Sequence, residues 1–177
     1  MTPIQTIYLA GPDVFLPDAV AIGRSKVAMC DKHGLIGLFP LDNDMDITLP
    51  DASRHIFLAN QAMMDRADAI LANLTPFRGP SADAGTVYEL GYMAGRGKRC
   101  FAYCNDPRVY KNRISNRNSL VDTGGLSVED FNLPDNLMIV HALDLYGAPL
   151  VTPRETPSDL WRDLAAFEQC LTLAMAH

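Results

Sequence analysis

Long apolar runs are missing from this sequence. The longest uncharged ones, such as residues 35–41, fall far short of the roughly 20 needed to span a bilayer, so no membrane association is expected. The opening MTPIQTIYLAGP has no Lys or Arg ahead of its short apolar segment and does not read as a secretory signal. Cysteine is sparse. Four residues, at 30, 100, 104 and 170, are too few and too scattered for a disulfide framework, which favours a reduced, cytoplasmic setting. Positive charge is also short: 15 Lys and Arg stand against 21 Asp and Glu, and a net charge of -6 argues against a binder of nucleic acid polymers.

Several catalytic signatures are absent as well. There is no G-x-G-x-x-G, so a nicotinamide site is poorly supported. His33, His55, His141 and His177 form no H-x-x-x-H pair, and Cys100 and Cys104 have no second pair to complete a zinc site, so no metal is expected. No G-x-S-x-G elbow is found, nor a cysteine with a placed histidine. What remains is 177 residues, 48% apolar and 20% charged, the balance of one globular domain (1–177) with a proper core.

Read along the chain, strands and helices alternate. Residues 5–10 predict a strand stopped by Gly11-Pro12, with alternation placing Tyr8 on the face opposite Leu9. A helix opens at Pro17-Asp18, turns Val20, Gly23, Val27 and Cys30 inward, and stops at Gly34. Residues 35–40 predict the second strand. Residues 53–66 predict a helix with Ile56, Ala59, Met63 and Ala67 as its inner stripe. Residues 68–74 predict a strand buried on both faces, and residues 85–95 a helix facing Val87, Leu90, Gly91 and Ala94 inward. A fourth strand follows at 100–104. Residues 105–135 form an irregular stretch that suits a lid or a subunit contact. A fifth strand is expected at 137–140, then a final helix capped by Ser158 with Leu160, Trp161, Leu164, Phe167, Leu171 and Met175 in one stripe.

This order argues for an α/β fold: a doubly wound, flavodoxin-like or Rossmann-like parallel sheet of about five strands flanked by helices. Ligands in such folds sit beyond the carboxyl ends of the strands, which gathers residues 11–15, 42–46, 75–83 and 105 onward around one crevice.

Within that crevice, NLTPFRGPSADAGTVYELGYMAG (73–95) holds the clearest chemistry. Asp83 or Ser81 is placed to cap the helix carrying Glu89, whose positive end would favour an ionised carboxylate. A carboxylate facing a pocket is a usable nucleophile for an electron-poor sugar carbon. A plain cap and a solvated glutamate are the alternative. Tyr8 is either core or catalytic, and Gly11 lets a ligand approach the backbone. Lys98-Arg99 and the run from Arg108 to Arg117 suit phosphate contacts, solvated surface or a subunit contact.

Taken together, YLAGPDVF, PLDND, the junction from Asn60 to Asp68, DAGTVYELGYMAGRGK and PDNLMI resemble the nucleoside 2-deoxyribosyltransferase family, in order and spacing, from Ile7 to about Val140. The wording is closer to members from protozoa and some bacteria than to lactobacillal ones. The resemblance implies exchange of the base on 2'-deoxyribonucleosides with retained configuration. By its pattern, Glu89 is the nucleophile that forms a deoxyribosyl-enzyme, Tyr8 orients it, and Asp83 meets the 5'-hydroxyl. Gly11 and Phe15 belong to the substrate-binding wall. Asp44 and Asn60 fall on base-contacting positions where relatives carry glutamine and aspartate, and Asn60 cannot donate a proton as an acid does. Asn136 matches an asparagine lent by a neighbouring subunit, which implies a homo-oligomer with a shared site. A role that some relatives give their terminal carboxylate is not transferred to His177. No cofactor is implied; the partners are deoxyribonucleosides and free bases. Handing the same intermediate to water would make the protein a nucleoside or 5'-monophosphate N-glycosidase instead, and a non-catalytic nucleoside-binding module is the reading of a different class.

Overall fold

The computed structural model describes residues 3–42, 48–115 and 119–176. Asp44, Arg117 and His177, named above, lie outside the described residues. Four strands form one parallel sheet: β1 (Thr6–Ala10), β2 (Ile36–Leu38), β3 (Ala69–Asn73) and β4 (Arg99–Tyr103), in the order β2-β1-β3-β4. Crossover helices α1 (Ala19–Lys32), α2 (Ala52–Arg66) and α3 (Ala84–Gly95) connect them, and α4 (Tyr110–Ile114), α5 (Leu137–Tyr146) and α6 (Ala165–Ala176) follow. Among the described residues, no helix is long and apolar enough to cross a membrane.

Period-two alternation sorts the core into two layers. Ile7, Leu9, Leu71, Phe101 and Tyr103 face α1 and α6, where Cys30, Phe167, Cys170 and Leu171 close the layer. Tyr8, Ala10, Ile70, Ala72 and Ala102 face the other way, against Met63, Met64, Leu90, Met93 and Leu143 of α2, α3 and α5. β3 is buried throughout, as its unbroken apolar centre predicts.

Several expectations need correction. Residues 137–140 are not a strand but the first turn of α5: Asn136 caps it by accepting from the Met138 N–H at 3.0 Å, and the buried Ile139, Val140 and Leu143 follow helical spacing. The fifth position beside β4 is taken by residues 147–151, through parallel bridges Cys100–Gly147 and Tyr103–Val151. In α1 the buried face is Ala19, Ile22, Gly23, Lys26 and Cys30, while Val20 is exposed. In α3 the buried face is Thr86, Leu90, Met93 and Ala94, with Gly91 at the surface. The last helix begins at Ala165, not at Ser158: Asp159 first folds a turn by accepting from the Trp161 and Arg162 N–H groups, and Asp163 accepts from the Ala165 N–H.

In α2 only Ala52, Met63 and Met64 are buried, and the expected inner residue Ile56 is exposed beside Phe57 and Leu58. The described residues of 105–135 contain α4 and a bridge between Val121 and Ser127, and are otherwise irregular. Arg113 belongs to the run expected to suit phosphate contacts, solvated surface or a subunit contact; its side chain is instead buried within its own chain. It donates to the carbonyls of Pro80, Arg108 and Pro134 and pairs with Asp106 and Asp135.

Candidate active site

A cleft of about 370 Å³ opens beyond the carboxyl ends of β1 and β3. The turn after β1 supplies Gly11, Val14 and Phe15; the chain after β2 supplies Pro40 and Leu41; α2 supplies Ile56 and Asn60; and the start of α3 supplies Asp83, Gly85, Thr86 and Glu89. The sequence thus brings together Gly11, Phe15, Asn60, Asp83 and Glu89, with Tyr8 directly behind them.

Tyr8 is buried in the sheet, and its hydroxyl donates to Glu89 Oε1 at 2.6 Å. Burial and the neighbouring glutamate push its phenol well above the ordinary range, so it stays a protonated donor. Glu89 is itself displaced. Burial lifts its carboxyl; the Tyr8 hydrogen bond counters part of this and the charge of Asp83 adds to it, leaving the group at about 7. This corrects the expectation that the helix end keeps Glu89 ionised: Glu89 lies in the second turn of α3, and the dipole's influence fades within the first.

Asp83 is the N-cap of α3, and Ser81 is not. Asp83 Oδ2 accepts from the Thr86 N–H at 2.9 Å and from the Thr86 hydroxyl at 3.1 Å, and the same carboxylate lines the cleft. Ser81 donates instead to Asp135 at 2.5 Å, so its hydroxyl is engaged within the fold. Gly11 is required by close approach. A Cβ there would stand 2.8 Å from Asn73 Cβ and 3.0 Å from Asp13 Oδ2.

At the rim, Phe15 stacks on Phe77 with ring centres 5.3 Å apart, and Trp161 meets Phe77 edge-on at 6.0 Å. The Arg78 guanidinium lies over both phenyl rings, on a backbone held at φ 54. Asn136 is not in this cleft. Besides capping α5, it donates to Glu129 at 2.6 Å. Among the described residues, no group of three or more His, Cys, Asp or Glu side chains is placed to hold a metal ion.

Sequence reasoning missed a buried charged network behind the cleft. Asp13 pairs with Lys26 and accepts from the Asn73 amide, and Asn73 Oδ1 accepts from the Thr75 N–H at 3.0 Å. The Thr75 hydroxyl in turn accepts from the Asn105 N–H at 3.0 Å. Lys26 sits one turn from Ile22 and Cys30, which marks the position as inward, but lysine at an inward position carries no sequence signal of its partner.

Comparison with known proteins adds to this geometry. A family model described as nucleoside 2-deoxyribosyltransferase matches residues 7–138. An uncharacterized protein of Schizosaccharomyces pombe is 34% identical over 116 residues, or 63% of this chain; the match spans about half (55%) of that curated relative's length. Among solved structures, a 2-desoxiribosyltransferase from Leishmania mexicana is similar with a TM-score of 0.70 and 32% identity, over 95% of this chain and 97% of that one. A 2-deoxyribosyltransferase from Bacillus psychrosaccharolyticus shares the fold with a TM-score of 0.57 at 17% identity, over 90% of this chain and 89% of its own. A conserved protein from Enterococcus faecalis V583 does so at 0.60 and 19%, over 96% and 98%.

Proposed function

This chain belongs to the nucleoside 2-deoxyribosyltransferase family, and from that premise we propose that it transfers the 2-deoxyribosyl group between bases through a covalent bond to Glu89. The observation that carries the reading is the Tyr8–Glu89 hydrogen bond at the wall of a cleft that Asp83 also lines. In the first half-reaction the C1'–N bond breaks with its electron pair going to the base, and the sugar gains oxocarbenium character. The Glu89 carboxylate stabilises that charge and then bonds to C1'. Tyr8 holds Oε1, which leaves the other oxygen for attack. A second base displaces Glu89 from the opposite direction, and two inversions give net retention. Written this way, the chemistry calls for no metal or organic cofactor.

Asp83 receives the 5'-hydroxyl, Gly11 lets the sugar lie close to the backbone, and Phe15 and Asn60 meet the base. Asp44 belongs to the same base-contacting set by the family's pattern. A carboxylate at position 83 favours a free hydroxyl over a 5'-phosphate, because two negative groups repel in a cleft. Asn136, engaged away from the cleft of its own chain, serves the site of a second copy. The exposed Ile56, Phe57, Leu58 and Tyr88 beside the cleft and Met138 on α5 supply apolar surface for such an assembly. Residues 1–177 act as one catalytic domain, with 105–135 as a lid or a subunit contact, and the setting is the cytoplasm.

The experiment is a chromatographic assay with 2'-deoxyinosine and adenine, repeated with thymidine as donor and with the base omitted. Deoxyadenosine that forms only when adenine is present is the expected result. Hypoxanthine released at one rate with or without adenine, with no new nucleoside, identifies an N-glycosidase. Unchanged donors throughout would overturn the reading.

A further inference from the structure

We propose that the buried Asp13–Lys26 pair is a positioning device for the cleft: it clamps the turn at residues 12–15 so that Val14 and Phe15 stand where a nucleoside docks. The substrate in this statement rests on the transferase reading above; the clamp itself rests on geometry alone. Asp13 and Lys26 are 1% and 2% exposed, which removes both charges from water. A buried ion pair is a poor device for stability, since well-packed apolar residues of similar volume often do as well or better. What it supplies here is direction.

The two Asp13 oxygens are divided between different parts of the fold. Oδ2 faces the ammonium of Lys26 on α1, and Oδ1 faces the side-chain amide of Asn73 at the end of β3. The Asp13 carbonyl accepts from the Leu16 N–H at 3.1 Å and closes the turn. Gly11 is pressed so tightly onto Asn73 and Asp13 that a methyl group does not fit. Lys26 Nζ is boxed by the rings of Tyr103 and Phe167, each 5.5 Å away, so the cation is fixed as well. The turn is therefore held from behind by α1 and β3, while Gly11, Val14 and Phe15 form part of the cleft wall in front.

Trp161 is the only tryptophan of the chain and touches Phe77, which stacks on Phe15, so its emission reports where the turn stands without reference to activity. The test compares wild type with the double variant Asp13→Asn/Lys26→Met, which removes both charges together and keeps a side chain facing Asn73. Asn73→Ala, which loosens the turn but leaves the ion pair, is the second variant. The expected result is a KM for 2'-deoxyinosine raised roughly tenfold or more, a kcat changed by less than about threefold, and a shifted Trp161 emission. Asn73→Ala moves the same quantities in the same direction by less, and serves alone if the double variant does not fold. Wild-type KM and emission in the folded variants would overturn the proposal, whatever their melting temperatures do. If the wild type turns over no nucleoside, the transferase reading fails, and Trp161 emission alone then decides the clamp: shifted supports it, unshifted rejects it.

Discussion

With Glu89 as the proposed nucleophile, the pH dependence of the site follows its carboxyl, because only the ionised form attacks and burial raises it to about 7. The rate of forming the deoxyribosyl-enzyme should rise with pH and level off above about 7, read by rapid-quench trapping of labelled sugar on the protein. Tyr8→Phe removes the hydrogen bond that favours the charged form, so the midpoint should move up and the rate fall by about ten- to a hundredfold. A midpoint that stays put would assign the titration to another group. The same displacement has a consequence for stability. A carboxyl raised on folding brings no penalty below the ordinary glutamate range near pH 4, and its full penalty above about pH 7. Glu89→Gln should therefore abolish transfer yet stabilise the fold by up to about 3 kcal/mol at pH 8, an advantage that vanishes near pH 4 in urea melts. Tyr8, Gly11, Phe15, Asn60, Asp83 and Glu89 were legible in the sequence because each stands in a motif whose spacing survives in the cleft. Asp13 and Lys26 were not: a lysine on an amphipathic helix reads as solvated, and only the fold reveals the carboxylate it meets.

Elements were legible where periodicity and punctuation agreed. The first four strands and α1 to α3 fall within a residue or two of their expected bounds, because Gly11-Pro12, Gly34 and Asp83 mark ends that the backbone respects. Residues 137–140 misled because a run of four apolar residues fits a strand and a helix equally well; the capping asparagine before it decides for helix. Along α2 the stripe Ile56–Ala59–Met63 has helical spacing, yet Ile56 is exposed and, with Asn60, lines the cleft. Asp83 works both as the cap of α3 and as a charge beside Glu89, and substitutions can separate the two roles. Asp83→Ala removes the cap and should lower stability by about 1 kcal/mol. Asp83→Asn keeps a capping oxygen, so the melting temperature should hold, while loss of the negative charge that raises Glu89 should move the pH midpoint of sugar trapping downward. An unmoved midpoint in a fully folded Asp83→Asn protein would remove Asp83 from the electrostatics of the site.

At the scale of the whole molecule, Asn136 and Glu89 are parts of one proposed machine that a single chain does not bring together. Asn136 is held by Glu129 and by the first turn of α5, and the cleft is lined without it. If the asparagine acts across an interface, its site is built from two copies, and two inactive variants should complement each other. Take Glu89→Gln and Asn136→Ala, each tested alone and then unfolded, mixed in equal amounts and refolded. In a randomly mixed dimer, half the molecules pair one variant with the other, and each such pair holds one intact Glu89 facing one intact Asn136. About a quarter of wild-type transfer should return. A cis role predicts no recovery at all, since no chain then carries both side chains. The refolded wild type supplies the reference, and size-exclusion chromatography with light scattering fixes the number of copies that the arithmetic assumes. In a larger oligomer the expected fraction is the same quarter, because the Glu89 and the Asn136 of any one cleft still come from two chains drawn at random.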